Sequence, residues 1–121
     1  MATLSFNVGP EGRVGRVSIL GELEQMVLMA VLRLQDPYPV SVRDEINAVA
    51  GVDLSRGTIY VTLHRLEQRG LVESWLGDST PERGGKAKRC FAVTARGRRA
   101  LRESRAVLGR LSDGIELLIG N

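Results

Sequence analysis

Aromatic residues are scarce in this 121-residue chain: phenylalanine, tyrosine and tryptophan together make up 4% of it. The core is therefore expected to be aliphatic. A single cysteine, Cys90, excludes an internal disulfide. No apolar run approaches the roughly 18–20 residues of a membrane span, and residues 1–10 lack the pattern of a signal peptide. These absences predict one domain without a membrane segment, and the expected compartment is the cytoplasm.

The residues that build catalytic or metal sites are also few. His64 is the only histidine, and no second histidine, nearby cysteine or carboxylate cluster stands at ligand spacing. The glycines do not form a phosphate-binding loop. We therefore expect neither an enzyme nor a metal or cofactor site.

Positive charge, by contrast, is abundant in one part of the chain. Residues 1–54 contain four Lys/Arg and seven Asp/Glu, whereas residues 55–110 contain thirteen and five. The net charge of +3 therefore conceals a balance of +8 over residues 55–110. Such a segment suits a polyanionic partner, although a solvated basic face is the alternative.

The first half of the chain predicts a flexible arm and two helices. Glycines and Pro10 interrupt residues 1–17, and a strongly apolar helix is expected from Ser18 to the prolines that follow Asp36. Ser41 and Asp44 have the spacing of a capping box for a second helix, which Gly51 would end. In that helix the spacing of Val42, Ile46 and Val49 predicts one buried face.

The second half predicts a third helix, a hairpin and a last helix. Ser55 can cap a helix that ends before Gly70, and strands are expected at residues 71–76 and 88–93. Thr94 can cap a helix running to about Leu118. The fold class is therefore mostly α with a small β-hairpin: a winged helix-turn-helix over residues 18–93 and a C-terminal dimerisation helix over residues 94–121.

The third helix is the candidate to enter a DNA groove, because its exposed positions are predicted to be small, hydroxylated or basic. Arg56 can read a guanine in a bidentate way, whereas Thr58 and Tyr60 suit phosphate oxygens. Tyr60 as a half-buried core residue and a merely solvated hairpin loop stay open as alternatives. The predicted DNA-binding residues are Ser41, Arg43, Ser55, Arg56, Thr58, Tyr60, His64, Arg83, Lys86 and Lys88.

Apolar residues at heptad spacing in the last helix predict a coiled-coil-like seam. Together with the apolar first helix they suggest a homodimer, the alternative being that the last helix packs on its own domain. The predicted dimerisation residues are Leu23, Met26, Val27, Leu101, Leu108, Leu111, Ile115 and Leu118.

The chain resembles the PadR family of bacterial transcriptional regulators. The resemblance rests on Gly57-Thr-Ile-Tyr60, Leu63-His-Arg-Leu-Glu67, Gly70-Leu-Val-Glu73 and Phe91-Ala-Val-Thr94, and covers roughly residues 18–105. It implies a homodimeric repressor of a pseudo-palindromic operator, with a short C-terminal part. Arg56 and Val61 stand where the family often has proline.

Trp75, Cys90 and the nature of the binding partner each allow two interpretations. Trp75 is expected to be a core residue or, alternatively, a wall of a pocket for a small aromatic or hydrophobic effector, since related regulators can bind planar aromatic compounds. Cys90 is expected to be an ordinary buried residue rather than a redox sensor. Because winged helices also mediate contacts between proteins, a protein–protein interaction module is the alternative to a DNA-binding regulator.

Overall fold

The computed structural model describes residues 19–79 and 87–120. The predicted arm at residues 1–17 lies outside them, and so do Arg83 and Lys86. The chain divides into two compact units, Gly21–Arg98 and a second one made of Met1–Leu20 and Arg99–Asn121. No helix among the described residues is long and apolar enough to cross a membrane.

The first helix, α1, spans Glu22–Arg33. It begins after Gly21, whose backbone N–H donates to Glu24 Oε1 at 2.9 Å. Acidic residues in its first turn and Arg33 in its last complement the helix dipole. The helix therefore begins at residue 22 and not at Ser18. The Glu24 side chain bonds the backbone N–H of the residue before the helix, as the glutamate of a capping box does.

The second helix, α2, spans Pro39–Ala50, so the prediction that Ser41 caps it was wrong. Pro39 occupies the first helical position, where its fixed φ is favourable and its missing N–H costs nothing. Ser41 lies in the first turn instead and accepts a hydrogen bond from the Tyr38 N–H at 2.9 Å. Gly51 ends the helix with φ +69°, as predicted.

The buried face of α2 is shorter than predicted. Val42 and Ile46 are buried, but Val49 is 63% exposed. The last turn, residues 48–50, is exposed throughout, so it extends past the face that packs on α1.

The third helix, α3, spans Arg56–Gln68 and has the limits that its capping signals predict. The Ser55 hydroxyl accepts from the Thr58 N–H at 3.1 Å, which satisfies one amide of the first turn. Gly70 follows the helix with φ +75°, a left-handed conformation that glycine adopts easily. The chain then enters the first strand.

The strands β1 (Val72–Ser79) and β2 (Ala87–Val93) form an antiparallel hairpin. Val72 pairs with Val93 and Trp75 with Cys90. The hairpin lies against the helices, and the Phe91 N–H donates to the Pro37 carbonyl at 3.0 Å. A winged helix-turn-helix is thus present in the unit Gly21–Arg98.

The core of this unit is aliphatic, as the composition predicts. It is contributed by all three helices, which pack on one another, and by both strands. Among the described residues, Phe91 is its one aromatic member. The most deeply buried hydrophobic side chains are Val27, Leu28, Val42, Ile59, Leu63, Leu66 and Val72.

The C-terminal helix is interrupted, contrary to the prediction of one helix to about Leu118. The helix α4 spans Ala95–Ser112, and a separate short helix, α5, spans Glu116–Ile119. Gly114 adopts φ +75° between them and breaks the helical hydrogen-bond ladder. Ile115 and Leu118 therefore do not continue the heptad series of α4.

Candidate nucleic-acid interface

Helix α3 has one buried and one exposed face. Ile59, Thr62, Leu63 and Leu66 are buried. The residues at the intervening positions are exposed: Arg56, Gly57, Tyr60, Val61, His64 and Arg65. A helix whose far side is fixed in a core presents such a face rigidly, which is the requirement for reading a groove.

Two side chains fix the start of this helix. The Asn47 amide pairs with the Leu54 backbone: its oxygen accepts from Leu54 N at 2.8 Å, and its nitrogen donates to Leu54 O at 3.2 Å. The hydroxyls of Ser55 and Thr58 are 2.9 Å apart. Asn47 was missed from the sequence, because nothing in its spacing indicates a bond to a residue seven positions later.

Two of the predicted DNA-binding residues on α2 have other partners. The Ser41 hydroxyl bonds Tyr38 N and also lies 3.1 Å from the Asp36 carbonyl, so it serves the start of the helix. The Arg43 guanidinium forms an ion pair with Asp44 at 3.0 Å. Both side chains therefore take part in hydrogen bonds within the protein.

Lys88 of the hairpin is likewise occupied. Its ammonium group pairs with the Asp36 carboxylate and lies 4.5 Å from the centre of the Tyr38 ring. Its side chain is only 19% exposed. Lys88 therefore ties β2 to the turn between α1 and α2, and its contact with DNA stays a prediction.

A hydrogen-bonded chain connects α3 to both strands. Arg89 donates to the Ser74 hydroxyl at 3.0 Å, and that hydroxyl donates to Glu67 at 2.6 Å. These two bonds join the last turns of α3 to the hairpin.

Exposed arginines lie on both α3 and α4: Arg56 and Arg65 on α3, and Arg96, Arg98, Arg99, Arg102 and Arg110 on α4. Four basic residues elsewhere in the described part of the chain are held in ion pairs: Arg33, Arg43, Arg69 and Lys88. Arg56 and Arg65 are exposed, and within the described residues neither forms a salt bridge. Arg65 forms no salt bridge with Glu67 or Glu73 there, so it is an exposed basic residue of α3.

Trp75 is not a core residue. It is 47% exposed and lies in an open groove of about 610 Å³ between the hairpin and the end of α1. Its lining includes the apolar residues Leu32 and Leu34 and the charged residues Asp36, Lys88 and Arg98. Cys90, buried as predicted, also faces it.

The predicted dimerisation residues differ in exposure. Val27 is fully buried and Leu101 is 6% exposed, so both are core residues rather than contact residues. Leu23, Met26 and Ile115 are half-buried. The three that remain are strongly exposed: Leu108, Leu111 and Leu118.

The described residues contain no cluster of three or more potential metal-ligating side chains. What they do offer is a rigid helix with exposed arginines beside a β-hairpin.

Comparison with known proteins agrees with this geometry. The transcriptional regulator PadR-like family matches residues 27–103. The transcriptional regulator Rv3488 of Mycobacterium tuberculosis is 42% identical over 62 residues, 51% of this chain and 54% of the relative, so the match spans about half of that protein.

Two solved structures share the fold. A PadR family regulator from Eggerthella lenta has 27% identity and a TM-score of 0.64, over 83% of this chain and 88% of its own. A PadR-like regulator from Bacillus cereus has 23% identity and a TM-score of 0.68, over 82% and 92%. Given the match over most of the winged helix, this chain belongs to the PadR-like family of transcriptional regulators, which are DNA-binding proteins and not enzymes.

Proposed function

We propose that this protein is a homodimeric repressor that binds a pseudo-palindromic operator through α3 of each protomer. The observation that carries the proposal is the exposed face of α3, where Arg56 and Arg65 have no acidic partner among the described residues. A rigid basic helix beside a hairpin suits insertion into a major groove. Repression follows if the occupied site overlaps a promoter.

The roles of the α3 residues follow from their chemistry. Arg56, in the first turn, suits a bidentate bond to guanine, worth about 1–3 kcal/mol of discrimination. The Tyr60 hydroxyl and the free amides of the first turn suit phosphate oxygens. His64, one turn after Tyr60, lies on the same exposed face and is placed for a further polar contact.

The function can be tested with a duplex that contains the intergenic sequence upstream of the gene and a scrambled duplex of the same composition. We expect tight binding to the first, weaker binding to the second, and a loss of both at higher salt. Equal, weak binding to the two would contradict operator recognition. No binding at low salt would point instead to a winged helix that contacts another protein.

Dimerisation is proposed to use exposed apolar residues of the C-terminal segment. Leu108 and Leu111 are 50% and 73% exposed and lie one turn apart on α4. Leu117, Leu118 and Ile119 add to the exposed apolar surface. Such a concentration of apolar side chains in water is typical of an interface.

A charge in this surface should separate the protomers. We expect Leu111→Glu to shift the protein from dimer to monomer in sedimentation velocity at micromolar concentration, because a buried unpaired carboxylate is costly. Ala106→Glu is the matched control, since Ala106 is exposed on the other side of α4. A Leu111→Glu variant that stays dimeric would place the interface elsewhere.

The groove beside Trp75 is proposed to bind a small aromatic or hydrophobic effector that relieves repression. Trp75 offers a ring for stacking, and the groove touches β2 of the hairpin. Because Trp75 is the one tryptophan in the chain, its fluorescence reports on the groove directly. We expect at least one compound in a panel of small aromatics to quench it saturably and to weaken operator binding. Quenching that leaves operator affinity unchanged would refute an effector role.

A further inference from the structure

Val61 is an apolar side chain on the exposed face of α3, and the fold does not use it. It is the sixth residue of the helix and is 50% exposed. The core is contacted by the opposite face, through Ile59 and Leu63 on either side of it in sequence. Valine is also a poorer helix former than alanine, so helix stability does not explain its presence.

The surroundings of Val61 make it accessible to a large partner. Gly57 lies one turn before it, and a Cβ added there would meet only the Ser55 hydroxyl, at 4.0 Å. Because Gly57 has no side chain, the exposed face of α3 is open on the N-terminal side of Val61. His64 lies nearly one turn after it and is also exposed. Val61 is thus the one aliphatic side chain on the exposed face of α3, beside the Tyr60 ring, Gly57 and polar residues.

The chemistry of the major groove offers one partner for such a group. Base edges there present hydrogen-bond donors and acceptors, and the C5-methyl of thymine is the apolar exception. A valine placed against a polar edge would remove water from it without replacing the lost hydrogen bond. Against a methyl group the same contact buries apolar surface on both sides.

We infer that Val61 is a specificity-determining residue that selects thymine at one position in each half of the operator. The inference rests on the proposed function, because it requires α3 to lie in the major groove. A contact between Val61 and the thymine methyl group would recognise a base without a hydrogen bond, in addition to the polar contacts proposed for Arg56.

Uracil-substituted DNA tests this inference directly, since uracil differs from thymine only by the methyl group. Duplexes that the full-length protein prefers are first selected from a random library, and each thymine is then replaced by uracil in turn. We expect one thymine per half-site to be sensitive, with affinity falling about fourfold for each methyl lost and about fifteenfold when both are lost.

The variant Val61→Ala identifies the residue responsible. It should bind the thymine duplex more weakly than the wild type and should no longer distinguish thymine from uracil at the sensitive position. Alanine favours the helix, so the variant is expected to fold. Val49→Ala is the matched control, because Val49 is an exposed valine on α2. It should keep the full sensitivity of the wild type.

The outcomes separate this inference from the proposed function. Selective binding with no sensitive thymine, or with the same sensitivity in the Val61→Ala variant, would overturn the role of Val61 and leave operator recognition intact. If the wild-type protein selects no sequence from the library, the proposed function fails and the inference fails with it.

Discussion

The substitution Gly97→Ala is expected to lower the free energy of unfolding by about 3 kcal/mol, the upper part of the usual cost of overpacking. A Cβ at this position would lie 2.1 Å from the Leu71 carbonyl oxygen and 2.8 Å from Val93 Cγ1. The nearest atom belongs to the backbone, so no change of rotamer relieves the clash. Domains of this size have about 5–15 kcal/mol of stability in total.

The clash would fall where the start of α4 meets the start of β1, a contact that several hydrogen bonds stabilise. Thr94 N donates to the Leu71 carbonyl at 3.1 Å, and the Thr94 hydroxyl donates to Gly70 O at 2.7 Å. The same hydroxyl accepts from Gly97 N at 3.0 Å and so caps α4. Moving Gly97 away from Leu71 would therefore strain the link between the end of α3, β1 and the start of α4.

Urea denaturation of the full chain measures the effect. Gly109→Ala is the control in the same helix, since a Cβ there meets no atom within 4 Å. That variant should be as stable as the wild type or more stable, by up to about 1 kcal/mol, because alanine is the better helix former. Equal stability of Gly97→Ala and the wild type would mean that α4 does not pack against Leu71 as described.

The second large effect is expected in the salt dependence of DNA binding. If a dimer neutralises about six to ten phosphates, operator affinity should fall by roughly 10³–10⁵ between 50 and 200 mM salt. The cations available for this are those without acidic partners. On the described surface of α3 these are Arg56 and Arg65.

Arg65→Ala should make the salt dependence less steep. Each phosphate contact contributes about 0.9 to the slope of log K against log salt, so a dimer that loses two should lose about 1.8. Arg33→Ala removes the same charge, but Arg33 is bound to Glu45 at 2.6 Å at the end of α1. It should leave the slope unchanged. An equal change in both variants would mean that net charge, and not contact through α3, sets the slope.

Much of the winged helix could be predicted from local signals. Ser55, Gly51 and Gly70 act on residues within one helical turn, so the ends of α2 and α3 could be recognised without any tertiary contact. The start of α2 was wrongly predicted because Pro39 and Ser41 are both residues typical of a helix start. Pro39 occupies the first helical position, and the Ser41 side chain accepts a hydrogen bond from Tyr38 N, just before the helix.

The candidate site was predicted less completely, because it depends on which charges find partners. Lys88 and Arg65 are equally basic in sequence, yet Lys88 meets Asp36, 52 residues away, whereas Arg65 remains on the exposed side of α3. Trp75 was expected in the core because aromatics are few, but it is half exposed beside a groove although its strand partner Cys90 is buried.

Sequence alone indicated the order of α1 to α4 and of the two strands, the family, and the helix proposed to face DNA, because capping, periodicity and turn residues act between near neighbours. Tertiary structure alone decided which polar side chains are committed to the fold and which stay available to a partner. Those commitments depend on distances between residues far apart in the chain, such as Asn47 holding Leu54 and Lys88 holding Asp36. The exposure of Val61 was likewise decided by tertiary structure, since only the packing of α3 shows that this apolar side chain lies outside the core.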